Sequence, residues 1–427
     1  MIWLCSVLIF GASALADDDL SQLVSVIVYE DVDSDLCCVS TAVEHKYVVQ
    51  TPIYILNDSG LIAKFGTSSG TSSRIYKSLL FRHGARAPTD RISNASHREF
   101  FSNGLGELTD IGIEHSYDLG RFLQKRYVNN GFLRSPLLPS EVYFRSRAIN
   151  RCLMSASLVG SGMFDVNGTS NRPVVPIYSQ EKNDMLLSSR SNCTAEVKVV
   201  FNMCGRTFGR SYKNFVEYQG FIFECLGLQN TSEAFHDGKS FEVIDSLITE
   251  YQNGLPMSDW FERHKKEIFE NFVKVENLIT GVAEYHDVSM LRIKSGHLLY
   301  TVFEQLKSNW QQFLESNSVK KRKFIAYSTQ DWVMYAFLES LGIREFAIND
   351  NSLPKYNSLI IIELRKLSDM PVVKVFFRDP TEETLKDVTF AIRGCNSSNH
   401  CPLQLLLNCC NSYLTANPLQ ECYPEAN

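Results

Sequence analysis

The chain has 427 residues, of which 44% are hydrophobic and 21% are charged, a composition typical of a globular protein and not of a disordered or fibrous one. The formal net charge of -6 excludes a broadly basic surface, so nucleic acid is not expected as a partner and any anion-binding site must be local. The length predicts one large domain, or a core domain with a substantial insertion.

Residues 1–16 are predicted to be a secretory signal peptide. An apolar run from Ile2 to Phe10 is followed by small residues that end at Ala16, directly before three aspartates. A buried N-terminal helix is the alternative interpretation of this run. No later segment has the ~18 uninterrupted apolar residues of a membrane span, so a stable membrane anchor is not expected. The predicted localisation is secreted or extracellular, with a lysosomal-type compartment as the alternative.

Cysteines and glycosylation sequons agree with export from the cytosol. The chain contains 12 cysteines, and removal of the signal peptide would take Cys5 with it, which leaves an odd number. At least one cysteine is then unpaired or intermolecular if the others form disulfides. A cytosolic chain of this length would carry some sequons by chance, so they support secretion without proving it. The N-glycosylation candidates are Asn57, Asn94, Asn167, Asn192, Asn230 and Asn396.

Residues 17–73 are predicted to be an N-terminal extension, to which no role is assigned. Segments 23–29 and 47–56 within it have the composition of strands, and 66–73 has that of a Gly/Ser/Thr linker. The main domain is predicted to cover residues 74–427.

The first half of the main domain contains two predicted strands, each followed by a helix. The strands are short apolar runs at 78–81 and 142–144. The first helix is predicted at 109–127 from its apolar stripe, with Thr109 as the N-cap. The second helix follows Arg145 and runs through residue 163.

The middle of the chain, about 174–255, is polar and heterogeneous, and it is predicted to be a mostly helical cap inserted into the main domain. Regular alternation of strand and helix returns after this insertion. Strands are predicted at 324–327, 359–364 and 372–377, and a helix is predicted at 332–341.

These elements together predict an α/β fold with a mainly parallel sheet and helices on both faces. Such sheets place ligand sites just beyond the carboxyl ends of their strands. Arg82 and His83 follow the first strand in this way, and Gln330 and Asp331 follow the strand at 324–327. Both pairs are therefore candidate site residues.

The string Arg82-His83-Gly84-Ala85-Arg86-Ala87-Pro88 suits phosphoryl transfer. A phosphoryl group spreads its charge over three oxygens, and converging guanidinium groups stabilise that charge through bidentate hydrogen bonds. A histidine among them is biased toward the neutral imidazole, whose free nitrogen can attack phosphorus. Gly84 is expected to let the backbone pass close to the ligand. The alternative is a solvated turn with a core histidine, but the full string after an apolar strand is much more specific than an isolated Arg-His-Gly.

This string resembles the catalytic loop of the histidine acid phosphatase family, the acid phosphatase branch of the histidine phosphatase superfamily. The similarity runs from about residue 77 to 422. It implies a phosphoglycerate-mutase-like core with a cap, substrates that are small phosphomonoesters or phosphoproteins, and no cofactor. Other parts of the chain that match family segments are 104–109 with Gly112, 142–146 with Arg151, and Pro354, Tyr356 and Ser358.

Carried over position by position, the resemblance makes His83 the nucleophile that forms a phosphohistidine. Asp331 would protonate the leaving group, and an aspartate that must start protonated works best at acidic pH. The phosphate would be bound by Arg82, Arg86 and Arg145.

Gln330 is the main departure from the family pattern, because the family has a histidine before the catalytic aspartate. The amide of Gln330 can also donate to phosphate, but it is neutral and longer, so it should stabilise less developing charge. Losing one charge-assisted donor can cost on the order of 2 to 4 kcal/mol, or about a hundredfold or more in rate.

Three interpretations of function follow. The leading one is a secreted acid phosphatase with reduced or re-tuned activity, since the nucleophile and the proton donor are both present. The alternative is a weakened or inactive homologue that binds phosphorylated ligands, because Gln330 replaces the family histidine. The third is a specialised phosphatase for inositol phosphates or lysophospholipids.

The remaining histidines do not indicate a metal centre, because none has a second histidine at metal-ligand spacing. His115, His286 and His297 are interpreted as core or surface residues. No metal is therefore expected, and a homodimer is left open.

The resemblance also implies two disulfides, Cys395 with Cys401 and Cys193 with Cys422. A bridge between Cys204 and Cys225 is a further suggestion that does not rest on the family. No partner is assigned to the remaining cysteines, which are Cys37, Cys38, Cys152, Cys409 and Cys410.

Overall fold

The computed structural model describes residues 53–55, 63–65, 73–165, 174–187, 193–206, 215–228, 241–349, 352–382, 384–395 and 399–424. The chain divides into two compact units, Met1–Ser69 and Gly70–Asn427. In the first unit, strands β1 (Ile53–Ile55) and β2 (Ala63–Phe65) pair antiparallel. The predicted signal peptide and the predicted strand at 23–29 lie outside the described residues.

The second unit is built on an eight-stranded mixed sheet. Its strand order is β10-β8-β7-β3-β6-β4-β5, and β9 pairs with β8. The strands are β3 (Ser73–Arg82), β4 (Val142–Arg147), β5 (Ile177–Gln180), β6 (Phe324–Thr329), β7 (Leu359–Leu367), β8 (Met370–Arg378), β9 (Lys386–Asp387) and β10 (Cys401–Pro402).

Most strands of this sheet run in one direction. β6 pairs parallel with β3 and with β4, and β4 pairs parallel with β5. β7 is antiparallel to both β3 and β8, so β8 runs in the direction of β3. The predicted fold class, a mainly parallel α/β sheet, is confirmed. The hairpin β7–β8 interrupts the alternation of strands and helices. Its two strands are joined only by Ser368 and Asp369, both with positive φ. Because a parallel connection needs a dozen residues or more, two strands joined this closely must be antiparallel.

Helices cover both faces of the sheet and form the cap. Thr109 caps the first helix as predicted, since its side chain accepts a hydrogen bond from the backbone of Gly112. The helices are α1 (Asp110–Leu123), α2 (Asn150–Phe164), α3 (Thr194–Met203), α4 (Phe215–Cys225), α5 (Phe241–Gln252), α6 (Asp259–Thr280), α7 (Val288–Leu291), α8 (His297–Ser316), α9 (Asp331–Leu341), α10 (Arg344–Ala347), α11 (Leu403–Cys409) and α12 (Pro418–Cys422).

The alternation of side chains along β3 creates two cores, one on each face of the sheet. Leu79 and Phe81 point to the face that α1 and α2 cover, and they share a buried cluster with Leu119. Leu80 points to the opposite face and joins a cluster with Phe337 of α9. Because both faces are buried, the polar side chains in the middle of β3 are buried too, and the ammonium group of Lys77 pairs there with Glu363 of β7 (3.4 Å).

The cap has a third buried cluster of its own. It contains Val200, Ile222, Ile244 and Ile268, which lie on α3, α4, α5 and α6. β5 falls within the predicted insertion at 174–255 but belongs to the main sheet, whereas α6 lies beyond that range and packs with the cap helices.

Four disulfides join cysteines of the described residues. Two are the pairs implied by the family, Cys193–Cys422 and Cys395–Cys401, and the others are Cys204–Cys225 and Cys409–Cys410. Cys152 is buried and forms no disulfide.

The glycosylation candidates are mostly outside the described residues. Asn94 is the exception: it is exposed and its side chain caps the turn Ala95–His97. The predictions for the other sequons stay predictions. In the described part of the chain, no helix combines the length and the apolar character needed to span a bilayer.

Candidate active site

The backbone around His83 is held between the ends of three strands. β3 ends at Arg82, whose N–H donates to the carbonyl of Ser358, just before β7. The N–H of His83 donates to the carbonyl of Thr329 at the end of β6 (3.1 Å), and its own carbonyl accepts from the N–H of Asn357 (3.2 Å). These main-chain bonds fix His83 at the carboxyl edge of the sheet, where α/β folds bind ligands.

Gly84 is needed because helix α1 approaches the loop closely. A Cβ at this position would lie 2.4 Å from the carbonyl oxygen of Gly112 on α1. Close packing against α1 is therefore one reason for glycine here, and the expected close approach of the backbone to a ligand stays a prediction. The N–H of Gly84 donates to Ser155 Oγ on α2 (2.9 Å), which ties the loop to both helices of this face.

The side chain of His83 is buried, with 2% exposure, and its ring is held in one tautomer. Nδ1 lies 2.8 Å from the carbonyl oxygen of Gly84, and because a carbonyl only accepts, Nδ1 carries the hydrogen. Nε2 is then left with a lone pair. Burial, together with the charges of Arg82, Arg151 and Arg86, lowers the pKa of His83 well below its usual 6.5. The ring is therefore biased toward the neutral form, and its free nitrogen has the chemistry of a nucleophile.

Arg82 connects the two predicted pairs of site residues. Its Nη2 forms an ion pair with Asp331 Oδ2 (2.6 Å), and its Nη1 donates to the carbonyl of Pro354 (2.8 Å). The guanidinium lies 4.1 Å above the ring of Tyr356, whose centroid is 5.7 Å from that of His83. The Nε of Arg82 is buried and has no partner among the described residues, so it is a donor available to an anion.

Arg86 is fixed by a bidentate ion pair with Asp245 of the cap helix α5. The two N–O distances are 2.7 and 3.2 Å, and Thr89 donates to the same carboxylate. Burial alone would raise the pKa of Asp245, but the charge and hydrogen bonds of Arg86 outweigh burial, so that its pKa is lowered. The pair connects the loop that follows β3 to the cap.

Arg151 is a site residue to which the sequence analysis gave no role. Its charge is among the causes that lower the pKa of His83, and burial followed by the charge of Arg86 lowers its own pKa. Its Nη1 donates to the carbonyl of Gly106 (3.3 Å), whereas its buried Nε has no partner among the described residues. Arg151 therefore offers a second available donor near His83.

Arg145 lies on β4 and is bound by other residues. Its Nη2 pairs with Asp184 Oδ2 (2.8 Å), and its Nη1 donates to the carbonyl of Ser146. Together with Gln180 it lines a cavity of about 370 Å³. Within the described part of the chain, no hydrogen bond or ion pair joins Arg145 to His83, and its phosphate-binding role stays a prediction.

Gln330, Asp331 and Trp332 form the junction between β6 and α9. Asp331 is the first residue of α9, and its Oδ1 accepts from the N–H of Trp332 (2.9 Å). The indole Nε1 of Trp332 donates to Gln330 Oε1 (2.9 Å). Because an indole nitrogen only donates, this bond fixes the orientation of the amide, and Nε2 of Gln330 remains as a donor.

A neutral buried imidazole near several guanidinium groups, one of which is paired with a carboxyl group, is the constellation of a phosphoryl-transfer enzyme. The comparisons with known proteins agree. Residues 78–378 match the family model of the histidine phosphatase superfamily, branch 2. The chain belongs to this superfamily branch, so the recognition made from the sequence is confirmed.

Relatives of known sequence are named acid phosphatases. The chain is 34% identical over 359 residues to the Caenorhabditis briggsae protein named "Putative acid phosphatase 1", a match that covers 81% of this chain and 82% of that protein. It is 25% identical over 358 residues to the lysosomal acid phosphatase of Bos taurus, with 81% and 79% covered. The expectation of an enzyme of the phosphoric monoester hydrolase class is confirmed at the level of the family.

Solved structures with the same fold include phytases. Hafnia alvei phytase in complex with myo-inositol hexakis sulphate has a TM-score of 0.55 at 14% identity, covering 83% of this chain and 99% of that chain. The phytase of Klebsiella sp. ASR1 has a TM-score of 0.53 at 14% identity, with 81% and 97% covered. At this identity the likeness shows the fold alone.

Proposed function

We propose that the protein is an acid phosphatase that hydrolyses phosphate monoesters through a phosphohistidine on Nε2 of His83, with Asp331 as the proton donor. The observation that carries this proposal is the tautomer of His83, since the bond from Nδ1 to the carbonyl of Gly84 leaves Nε2 free. The proposed phosphate-binding residues are Arg82, Arg86, Arg145 and Gln330, and the geometry adds Arg151.

The reaction has two steps. In the first, Nε2 of His83 attacks phosphorus, the bond from phosphorus to the alcohol oxygen breaks, and Asp331 gives its proton to that oxygen. In the second, water attacks the phosphohistidine, Asp331 takes a proton from the water, and the bond from phosphorus to Nε2 breaks. Phosphate leaves, and His83 is again neutral. An arriving phosphate competes with Asp331 for Arg82, which releases the carboxyl group for proton transfer.

The electrostatics of His83 support activity at acidic pH. A free histidine would be mostly protonated at about pH 5 and could not attack phosphorus. Because burial and the neighbouring arginines hold the pKa of His83 well below its usual value, its neutral form persists to lower pH than that of a free histidine. Acidic pH also favours the protonated form that Asp331 needs as a general acid.

We further propose that the protein works outside the cytosol, in a secreted or lysosomal-type compartment. The predicted signal peptide, the six sequons and the disulfides Cys193–Cys422 and Cys395–Cys401 support this location. Relatives named lysosomal acid phosphatase (Bos taurus) and prostatic acid phosphatase (Rattus norvegicus) also support it.

A second candidate function is a homologue that binds phosphorylated ligands with little turnover, and the glutamine at position 330 favours it. Single-turnover kinetics distinguish this binding homologue from the active phosphatase. With an aryl phosphate at about pH 5, the native protein is expected to turn over, and Gln330→His is expected to be faster by about tenfold or more, because an imidazolium is a stronger donor to phosphate than an amide. Phosphate release by the native protein and by the variant is the measurement.

Three outcomes decide between the candidates. Turnover by the native protein with an acidic optimum supports the phosphatase. Turnover by Gln330→His alone supports the binding homologue. An activity optimum above about pH 8 would contradict the proposed acid mechanism.

Trp332→Phe tests whether the indole orients the Gln330 amide. The variant keeps a ring but loses the N–H, and one net hydrogen bond of about 0.5 to 1.5 kcal/mol disappears. Inhibition by inorganic phosphate is expected to weaken by about two- to tenfold. In a Gln330→Ala background the same change should have no effect, since no amide is left to orient.

The matched control is Trp310→Phe. Trp310 is half-buried on α8 and stacks on Phe313, with 5.6 Å between ring centroids. This substitution should leave phosphate inhibition unchanged. An equal effect of Trp332→Phe with and without Gln330 would show that Trp332 acts only through packing.

A further inference from the structure

The cap helix α5 has a buried polar face. Four residues of the helix, Asp245, Ser246, Thr249 and Glu250, and Asn253 just beyond its end are all buried. Residues three or four positions apart lie on the same side of a helix, so these side chains form one continuous surface. Because buried polar side chains are seldom left without hydrogen bonds, this surface must face polar groups of another segment.

The segment that faces α5 is the loop 86–97, which begins with Arg86 and has no regular structure before the turn Ala95–His97. The backbone groups of such a loop must find hydrogen-bond partners outside it. Side chains of α5 bind its backbone at three points: Asp245 accepts from the N–H of Thr89 (3.3 Å), Ser246 donates to the carbonyl of Arg91, and Glu250 accepts from the N–H of Ser93 (2.5 Å). The conformation of the loop therefore depends on the cap.

Glu250 holds the far end of the loop. Its carboxylate accepts from the hydroxyl group of Ser93 (2.8 Å) and from Nδ1 of His97 (2.6 Å), in addition to the N–H of Ser93. Glu250 has no exposed surface, and His97 is buried as well. Loss of one of these donors would leave the carboxylate partly unsatisfied where water does not replace the donor, so this contact resists rearrangement.

Asp245 and Asn253 hold the near end of the loop, at Arg86. Asn253 Nδ2 donates to the carbonyl of Arg86 (3.0 Å), and Asn253 Oδ1 accepts from the hydroxyl group of Thr109, the N-cap of α1 (2.9 Å). Asp245 pairs with the guanidinium of the same arginine (2.7 Å). The main chain and the side chain of Arg86 are thus both held from the cap, whereas the backbone of His83 is held by the ends of the strands.

We propose, on the basis of the proposed function, that Asp245, Glu250 and Asn253 are positioning residues that hold Arg86 in the orientation in which it binds phosphate. They act through the loop 86–97 and do not contact the substrate. Because they act on the phosphate-binding arginine, their loss should affect every phosphate ester alike. A residue that binds the alcohol group would instead affect different esters unequally.

Glu250→Gln tests the far end of the loop. The variant keeps the size of the side chain but replaces an acceptor oxygen with an NH2 group, which cannot accept from the donors of the loop. Calorimetry with inorganic phosphate at about pH 5 is expected to show binding weakened by about tenfold or more, because a small displacement of Arg86 disturbs its hydrogen bonds to phosphate. Relative to the native protein, kcat/KM for methyl phosphate and for phenyl phosphate should fall by a common factor.

His97 allows a second, milder pair of variants. His97→Asn retains an N–H near the position of Nδ1 and can still donate to Glu250, whereas His97→Leu cannot. Phosphate binding is expected to weaken about three- to tenfold in His97→Leu and to stay within about twofold of the native value in His97→Asn. This pair keeps the proposal testable if Glu250→Gln does not fold.

Two comparisons separate positioning from general damage. Glu141→Gln is the matched control, because Glu141 is also buried and pairs with Lys323 (2.9 Å), but it directly precedes β4 at the opposite edge of the sheet. It should leave phosphate binding unchanged even where it lowers the unfolding temperature. In an Arg86→Gln background, Glu250→Gln should cause little further loss of phosphate binding, because the guanidinium that it positions is absent.

The outcomes separate this proposal from the proposed function. Weaker phosphate binding in Glu250→Gln but not in Glu141→Gln, in a protein without turnover of any phosphate ester, would support the positioning role and contradict the phosphatase. Turnover by the native protein, with unchanged phosphate binding in Glu250→Gln and His97→Leu, would support the phosphatase and overturn the positioning role. Losses that differ between the two esters, or that persist in full in the Arg86→Gln background, would also overturn it.

Discussion

His83→Ala is expected to reduce turnover of an aryl phosphate by roughly ten-thousandfold or more, because the atom that forms the covalent intermediate is removed. The measurement is kcat at about pH 5, together with labelled phosphate on the protein after rapid quenching. The native protein should carry a label that is lost in acid and stable in alkali, as expected of phosphohistidine, and the variant should carry none.

Two controls keep this prediction decisive. His115→Ala changes an exposed histidine of α1 and should leave kcat unchanged. Because His83 is buried, the variant must also be shown to fold, and retained binding of inorganic phosphate by the arginines provides that check. A His83→Ala protein that binds phosphate and keeps more than about a tenth of native turnover would show that another group is the nucleophile.

The fold could be predicted from the sequence largely because both faces of the sheet are buried. The segments 324–327, 359–364 and 372–377 are mostly apolar, with Glu363 and Lys374 as the charged residues, and all three lie within strands of the structure. The direction of β7 could not be predicted, because the hairpin turn is formed by Ser368 and Asp369. Both residues have positive φ, but they lack the glycine that usually marks such a turn.

The site could be predicted only where its residues are close together in sequence. The string that begins at Arg82 and the pair Gln330-Asp331 both follow apolar strands, and the structure joins them through the ion pair from Arg82 to Asp331. The partner of Arg86 could not be predicted, because Asp245 is 159 residues away on a cap helix. Contacts of this kind depend on how the cap packs on the sheet, which no local pattern reports.

The role of Tyr356 could not be predicted from the sequence, although its position matches the family. In the sequence, Pro354, Tyr356 and Ser358 are recognisable as family positions, but no pattern indicates what they do. In the structure the carbonyl of Pro354 accepts from Arg82, the ring of Tyr356 lies under its guanidinium, and the carbonyl of Ser358 accepts from its backbone N–H. The whole segment therefore positions Arg82.

Asp331→Asn is expected to lower kcat for an alkyl phosphate by about a hundred- to ten-thousandfold, the usual contribution of a general acid. An alkyl alkoxide is a poor leaving group that needs a proton as the bond to phosphorus breaks. Nitrophenolate leaves readily without one, so the loss for nitrophenyl phosphate should be much smaller. The measurement is the ratio of kcat values for the two substrates in the native protein and in the variant.

The same substitution should strengthen phosphate binding, which distinguishes lost proton transfer from general damage. Asp331 pairs with Arg82 at 2.6 Å, and an amide there would compete less for the guanidinium than a carboxylate does. The inhibition constant of inorganic phosphate should therefore fall while kcat falls. Asp118→Asn, at an exposed position of α1, is the matched control and should change neither quantity. Equal losses for both leaving groups, with weaker phosphate binding, would mean that Asp331 positions Arg82 and is not the proton donor.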